Sequence, residues 1–503
     1  MSLVHEVTVS SASLMEFADD VQNQFNGELR LMVAEDTRDQ SGGFTIRYVF
    51  EIMGRDTFIV ASMPLDAGQD TIPSLASHWY LASLFEREIH DLFGIRPQDH
   101  PDLRRLPLHQ FWPDDYYPLR KDSQPPSSIE DNGQPFPFQQ VRGEGIYQIT
   151  VGPVHAGIIE PGHFRFSVDG ETVVNLESRL FFLHKGIEKL FESMSVSRGV
   201  MLAERISGDS SVAHALAFSM AIERCAEIEV PTRAEYLRVV LQELERLYNH
   251  IADVGAICTD TGFAVANAHA MRLREDVLRL NEDLTGHRLL RGTIIPGGVS
   301  ADLSAEQRSE LITELHKIES DFSEVVTLAL DSTLVLDRLQ STGILTNALA
   351  RELQVCGIAG RASGVDADTR RDHPYAAYAR LKFRVPLFRE GDVWARMMVR
   401  VEEVHESVGL IAQALDSLPN GKTITEIASI PAGASAFGLV EGWRGPIWHW
   451  VATGENQSLA RVKVKDASFS NWSALNYAIL NNIVPDFPLC NKSFNLSYAG
   501  NDL

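Results

Sequence analysis

A chain of 503 residues, 44% hydrophobic and 22% charged, has the composition of a soluble globular protein and length for roughly two to four domains. Its formal net charge of -23 excludes a nucleic-acid partner, because phosphate binding needs clustered cations. The four cysteines, Cys225, Cys258, Cys356 and Cys490, share no Cys-x-x-Cys spacing, which excludes a local zinc or iron–sulphur clip and suits buried thiols in a reducing compartment. The opening residues carry no charged-then-apolar signal pattern. No apolar run approaches the roughly 20 residues that span a bilayer. A cytoplasmic chain is expected, held at a membrane only through partners.

Residues 1–122 read as a small α/β domain. Leu14, Phe17, Val21 and Phe25 have helical spacing, so a helix is predicted over 13–25. Strands follow at 29–34, 44–52 and 57–62. A second helix is predicted over 74–93 and stopped by Gly94, with Glu86, Arg87, Glu88 and Asp91 on an ion-paired solvent face. In residues 99–122 proline and charge alternate, the pattern of an extended arm lying on a partner. Residues 123–145, rich in Gln, Pro, Ser and Gly, read as a linker. After it, strands at 147–151 and 163–168 continue through the Asp169-Gly170 turn into a third at 172–176.

Long helices then dominate 146–503. They are predicted over 180–191, 232–257, 268–284, 304–336 and 393–415. Thr232 with Glu235, and Ser304 with Gln307, have capping-box spacing. The fold class expected is α+β: a small α/β domain joined to a mainly helical one with small β elements at its ends.

The chemistry concentrates in residues 204–214. Glu204-Arg205 opens the stretch, Ser207 and Ser210 sit three apart around Gly208, and Ala213-His214 leads into an apolar run. With cysteine at the two serines it would read Arg-x-Cys-Gly-x-Cys, half of a thiolate clamp; a hydroxyl is a far poorer ligand for soft metals. His155 and His163 bracket a loop. Arg361, Asp366, Asp368 and Arg370, followed by His373, form a polar stretch expected to be a solvated connection, although Arg–Asp networks also line redox and proton pathways. No glycine-rich nucleotide fingerprint follows a strand, so NAD binding is not expected.

Together these pieces carry a resemblance. Glu86-Arg-Glu88, Asp91-Leu-Phe-Gly94 and Arg120-Lys-Asp122 resemble the 30-kDa subunit of complex I. Gly152-Pro-Val-His155, Glu160-Pro-Gly-His163, His184-Lys-Gly186, Glu204-Arg205, Ala213-His214 and Arg361-Ala-Ser-Gly364 resemble its 49-kDa subunit and, more closely, the large subunit of group 4 membrane-bound nickel–iron hydrogenases of the formate hydrogenlyase type. The hydrogenases hold their metals through two cysteine pairs. Here Ser207, Ser210, Ser497 and Gly500 fall at those places, so no metal centre is expected.

The complex I relatives use the vacated space for a quinone head, gripped by a His and a Tyr. His163 fits the first, Gly208 stands at the second, and Tyr498 is a candidate replacement. Glu160 lies one residue out of register with an acid that moves protons in hydrogenases. The resemblance thus implies a pocket of His163, Arg205, Asp209, Glu160, Ser207, Ser210 and Ser497. There electrons from an iron–sulphur cluster in a small subunit would pass to a quinone or other acceptor, with His163 donating a proton and Arg205 holding negative charge. A ferredoxin-like subunit and ion-translocating membrane subunits would hold the chain at the inner face of the cell membrane. The alternative is a catalytically silent scaffold or coupling subunit. An open cavity at the hairpin loop favours the first reading, and one filled by Phe494 or Tyr498 the second.

Overall fold

The computed structural model describes residues 2–39, 41–131, 133–157 and 159–503. Strands β1 (Leu3–Thr8), β2 (Gly27–Asp36), β3 (Phe44–Ile52) and β4 (Thr57–Pro64) form one sheet in the order β1-β4-β3-β2. β1 joins it in parallel, the others antiparallel. Helix α1 (Leu14–Asn23) buries Leu14, Ala18 and Val21. α2 (Tyr80–Phe93) starts six residues later than its periodicity predicts and ends on Gly94, whose left-handed φ of 71° suits glycine.

The polar face of α2 is not a solvent face. Glu86 is fully buried, and Glu88 and Asp91 nearly so. Each carboxylate has an internal task. Glu86 accepts from Ser74 Oγ and Leu75 N, both at 2.6 Å, and Asp91 accepts Leu106 N at 2.7 Å. Arg179 donates to the carbonyls of Arg105, Leu106 and Leu108. The 99–122 segment is therefore stitched to its own chain. The described residues of 123–145 form no helix or strand.

β5 (Ile146–Val151), β6 (His163–Asp169) and β7 (Thr172–Arg179) make the expected meander. The predicted helix at 180–191 shrinks to Ile187–Phe191, because Phe181 and Gly186 take φ of 66° and 69°. The bundle follows: α3 (Ser211–Cys225), α4 (Thr232–Asp260), α5 (Ala264–Thr285), α6 (Ala305–Leu330) and α7 (Val393–Asp416). The box at Ser304 forms through Gln307 N to Ser304 Oγ at 3.1 Å and Ser304 N to Gln307 Oε1 at 3.0 Å. The one at Thr232 does not; Pro231 is the cap residue, and Glu235 instead pairs with Arg380 at 2.5 Å. The helix after Ser304 also stops at Leu330, before a separate turn, Thr333–Leu339.

A last antiparallel sheet, β8 (Ser435–Gly442), β9 (Gly445–Thr453) and β10 (Leu459–Lys465), builds the seam between the two halves of the chain. β10 alternates apolar residues with Arg461, Lys463 and Lys465, yet all three cations are buried. Two of the charges are met internally, Lys463 by Glu88 of α2 at 2.5 Å and Glu188 at 3.0 Å, and Arg461 by Glu188 at 2.7 Å, while Lys465 donates to Arg30 O at 2.9 Å. One apolar core accordingly runs from the N-terminal sheet into the meander and helix α8 (Ala467–Ala478), and a second fills the bundle.

Candidate functional site

The stretch at 204–210 is a tight turn between two helices. The helix Val196–Ala203 ends at Glu204, whose Oε1 accepts Gly292 N at 2.5 Å. α3 begins at Ser211, and its first free amides, Val212 N and Ala213 N, are capped from α4 by Glu245 at 2.6 and 3.0 Å. Burial raises the Glu245 carboxyl to about 8, even against those two amides. Its folded value lies above the ordinary 4.5, so its contribution to stability is full below about pH 4.5 and is lost as pH rises through 8. Replacing Glu245 by Gln will therefore flatten the stability profile. Urea midpoints measured from pH 5 to 9 will move in favour of the variant as pH rises.

Inside the turn every hydroxyl proton is committed. Ser207 Oγ donates to Asp209 Oδ1 at 2.6 Å and Ser210 Oγ to the same oxygen at 3.3 Å. Ser497, arriving from the C-terminal segment, lies 2.8 Å from Ser207 Oγ and accepts Gly500 N at 2.8 Å. With the Ser207 proton already on Asp209, Ser497 is the donor of that pair. Arg444 clamps Asp209 from the turn before β9 at 2.6 and 2.9 Å, donates to Asn495 O at 2.5 Å, and stacks over the Trp443 ring at 3.8 Å. Burial pushes the Asp209 carboxyl up, but the Arg444 guanidinium more than offsets this and holds it at about 2.

This donor set does not fit a nickel–iron centre. Three serine hydroxyls stand where thiolates belong, Ser207 and Ser210 bonded to the Asp209 carboxylate and Ser497 to Ser207. The fourth position has no side chain, and a Cβ on Gly500 would come within 2.8 Å of Asp466 Cγ. Asp466 cannot easily give way, since it accepts Ser468 N at 2.7 Å and faces His214 Nε2 at 3.3 Å, with His449 bonded behind at 3.0 Å. Among the described residues no group of three or more His, Cys, Asp or Glu is placed to hold a metal ion.

The sequence-predicted residues separate into three places. Ser207, Asp209, Ser210 and Ser497 meet as described. His163 does not join them. It shares the outer face of β6 with Arg165, opposite the buried Phe164 and Phe166, and lies 5.3 Å from the Phe138 ring of the linker. Its Nε2 is buried without a partner, and burial lowers its pKa. Tyr498 fills the ground between hairpin and serines. Its ring packs tilted against Trp472, centroids 4.7 Å apart, and so closely on Gly162 that a Cβ there would meet it at 2.5 Å. Burial pushes the Tyr498 phenol up to about 12. Glu160 fastens the hairpin by accepting Ala499 N at 3.1 Å. Arg205 faces away from the serines, half exposed, into an open and mostly apolar cleft of about 1030 Å³ that Met201, His287, Arg291 and Ile424 also line.

Arg444, Asp466, Glu245 and His449 escape sequence reasoning, because each arrives from a distant element without motif spacing. The only local signal is a lone arginine in the apolar run Gly442-Trp-Arg-Gly445. The polar stretch 361–373 is likewise no solvated connection: Arg361, Asp368 and Arg370 are at most 2% exposed and His373 is buried between Glu51 and Asp56.

Residues 7–128 match the family described as respiratory-chain NADH dehydrogenase, 30 Kd subunit, and residues 260–435 the corresponding 49 Kd subunit. The chain is 34% identical over 502 residues to hydrogenase-4 component G of Escherichia coli (strain K12), covering 99% of this chain and 87% of that one. It is 33% identical to formate hydrogenlyase subunit 5 of the same strain, covering 99% and 88%. To the C/D component of the NADH-quinone oxidoreductase of Phocaeicola vulgatus it is 30% identical, over 86% of this chain and 87% of the relative. Among solved structures, a chain of the membrane-bound sulfane sulfur reductase, an archaeal respiratory membrane complex, superposes with a TM-score of 0.67 at 26% identity, over 72% of this chain and 99% of that one.

Proposed function

The chain belongs to the family of joined 30-kDa- and 49-kDa-type complex I subunits that includes the group 4 hydrogenase large subunits, and from that membership we propose that it is the large subunit of a membrane-associated oxidoreductase of this kind, working without a nickel–iron centre as a coupling subunit. The observation that carries the reading is the 2.8 Å bond between Ser207 and Ser497, hydroxyl to hydroxyl across the metal position, with Tyr498 packed behind it. A filled site supports coupling over chemistry at this chain's own centre. The reading in which it hands electrons to a quinone draws less support, since His163 is turned toward Phe138 and Tyr498 occupies the intervening space.

No helix among the described residues is long and apolar enough to cross a membrane. Attachment to the membrane face then falls to partners: an iron–sulphur small subunit, a ferredoxin-like subunit and ion-translocating membrane subunits. The Arg205 cleft suits the first of these. Met201 is 53% and Ile424 44% exposed there, an apolar floor flanked by Arg205, His287 and Arg291 that a cluster-bearing partner would cover. Met201→Glu places a charge in the middle of that floor. Affinity purification of the complex from cells carrying the variant will recover this chain with the iron–sulphur subunit reduced at least tenfold. Undiminished recovery would move the docking face elsewhere.

A further inference from the structure

A second cluster, apart from the serines, ties α4 and α7 to the polar stretch 361–373 and β8. Arg361 reaches Glu441 at 2.9 Å, Glu403 at 2.5 Å and Asp368 at 3.5 Å. Arg370 joins Asp368 at 2.7 Å and Glu243 at 3.2 Å, and Arg246 joins Glu243 at 3.1 Å and Glu403 at 3.3 Å. All seven side chains are at most 1% exposed. His250 closes the set, its Nε2 2.6 Å from Glu403 and its Nδ1 without a partner.

The charges do not cancel. Four carboxyls, Glu243, Asp368, Glu403 and Glu441, face three guanidiniums, and burial lowers the pKa of His250, with Arg246 and Arg400 adding to the effect. Leaving one net negative charge at this depth is costly, and the set returns to neutrality by binding one proton. Glu243 and Glu403 are saturated: Glu243 accepts from Tyr378, Ser407 and two arginines, and Glu403 from two arginines and His250. Asp368 holds a bidentate pair with Arg370. Glu441 is the weakest-held acid. It has one guanidinium contact and one amide, Thr369 N at 3.1 Å, and it lines a cavity of about 120 Å³ at the seam.

We propose that this cluster is a single-proton site, with the proton seated on Glu441 at neutral pH and exchanging through the seam cavity. Burial and the neighbouring Asp368 both raise the Glu441 pKa, against Arg361 and Arg370. The other ionisable groups at the cavity do not substitute for the proton. Lys465, its pKa lowered by burial to about 8, donates to Arg30 O and makes no ion pair among the described residues. Arg30 is held by Glu28 and Glu51, Asp366 and Asp372 by Arg371, and Arg351 bonds Asn347. Cys356 is a thiol pushed up to about 11, and His373 is taken by Glu51 and Asp56. The far end of the cluster touches the serine site, since His250 lies 6.0 Å from the Trp443 ring and Trp443 Nε1 donates to Asp209 O at 2.9 Å. Negative charge added there tightens the hold on the proton, which deepens the coupling role proposed above. The proton site itself stands or falls on a test of the isolated chain.

That test is infrared difference spectroscopy on the purified full-length protein at neutral pH. Glu245, Glu86 and Asp502 also have raised pKa values, so the Glu441 band must be found by subtraction. Wild type minus Glu441→Gln will show one protonated-carboxyl carbonyl band that shifts in heavy water. Asp368→Asn, which removes one negative charge while leaving Glu441 in place, will abolish the same band by releasing the proton. Glu441→Gln, isosteric with the protonated acid, is expected to fold as wild type; should it not, wild type minus Asp368→Asn alone carries the test. No carboxyl band lost in Glu441→Gln, or a band unchanged in Asp368→Asn, overturns the proposal.

Discussion

Replacing Arg361 by alanine will cost about 3–5 kcal/mol of folding free energy, the range for removing one member of a buried ion network. Arg361 is fully buried, and its guanidinium meets Glu403, Glu441 and Asp368 at once. Water cannot reach the carboxylates left behind, so the loss is mainly the desolvation of unpaired charge rather than of three attractive contacts. A second proton will bind to offset part of it. Stability of the variant will consequently fall faster than that of wild type as pH rises from 6 to 8, because Glu441, whose pKa burial and Asp368 already raise, loses its guanidinium contact. Urea denaturation of both proteins at the two pH values reads the effect. A loss below about 1 kcal/mol would mean that the network contributes little to holding α4, α7 and β8 together.

Lys463→Met is expected to have an effect of similar size, about 3 kcal/mol or more at neutral pH, for a reason that concerns assembly of the two halves. Lys463 is the one cation shared by Glu88 of the N-terminal domain and Glu188 of the C-terminal one. Without it Glu188 keeps Arg461 and the Val464 amide, whereas Glu88 loses its only ion-pair partner among the described residues. Burial already raises the Glu88 pKa against the pull of Lys463. In the variant that carboxyl is protonated at mild acid pH, so the cost shrinks toward pH 5 and grows toward pH 8. Limited proteolysis in the 123–145 segment, whose described residues form no helix or strand, will accelerate in parallel. A pH-independent cost would show that Glu88 finds another partner.

These two sites mark where the sequence stops being legible. Periodicity finds helices whose apolar stripe reports a single buried face, as at Leu311, Leu315, Ile318, Phe322 and Ala329 of α6. It fails where both faces are buried. Glu86, Glu88 and Asp91 read as a surface until Ser74, Leu75, Leu106 and, from the other domain, Lys463 are laid against them. Short-range breaks are also invisible: nothing in the apolar spacing of 180–191 announces the left-handed Phe181.

Of the candidate site, the missing thiolates are readable from the spacing around Gly208; of the seven residues expected to line one pocket, Ser207, Asp209, Ser210 and Ser497 lie together, while His163, Glu160 and Arg205 lie elsewhere. What replaces the thiolates is not readable. Arg444 and Asp466 enter from the turn before β9 and the start of α8, more than two hundred residues away, and the turning of His163 toward the linker depends on which face of β6 the core claims. Sequence spacing fixes which residues are neighbours along an element. Burial decides which side of it they serve.

The most direct measurement is the nickel content of the complex, purified through this chain from cells grown with added nickel. Hydroxyls locked to Asp209 and to each other, with no room for a side chain at residue 500, predict far less than one nickel per chain and no dihydrogen evolution. Nickel approaching one per chain, or dihydrogen produced by the purified material, would contradict it.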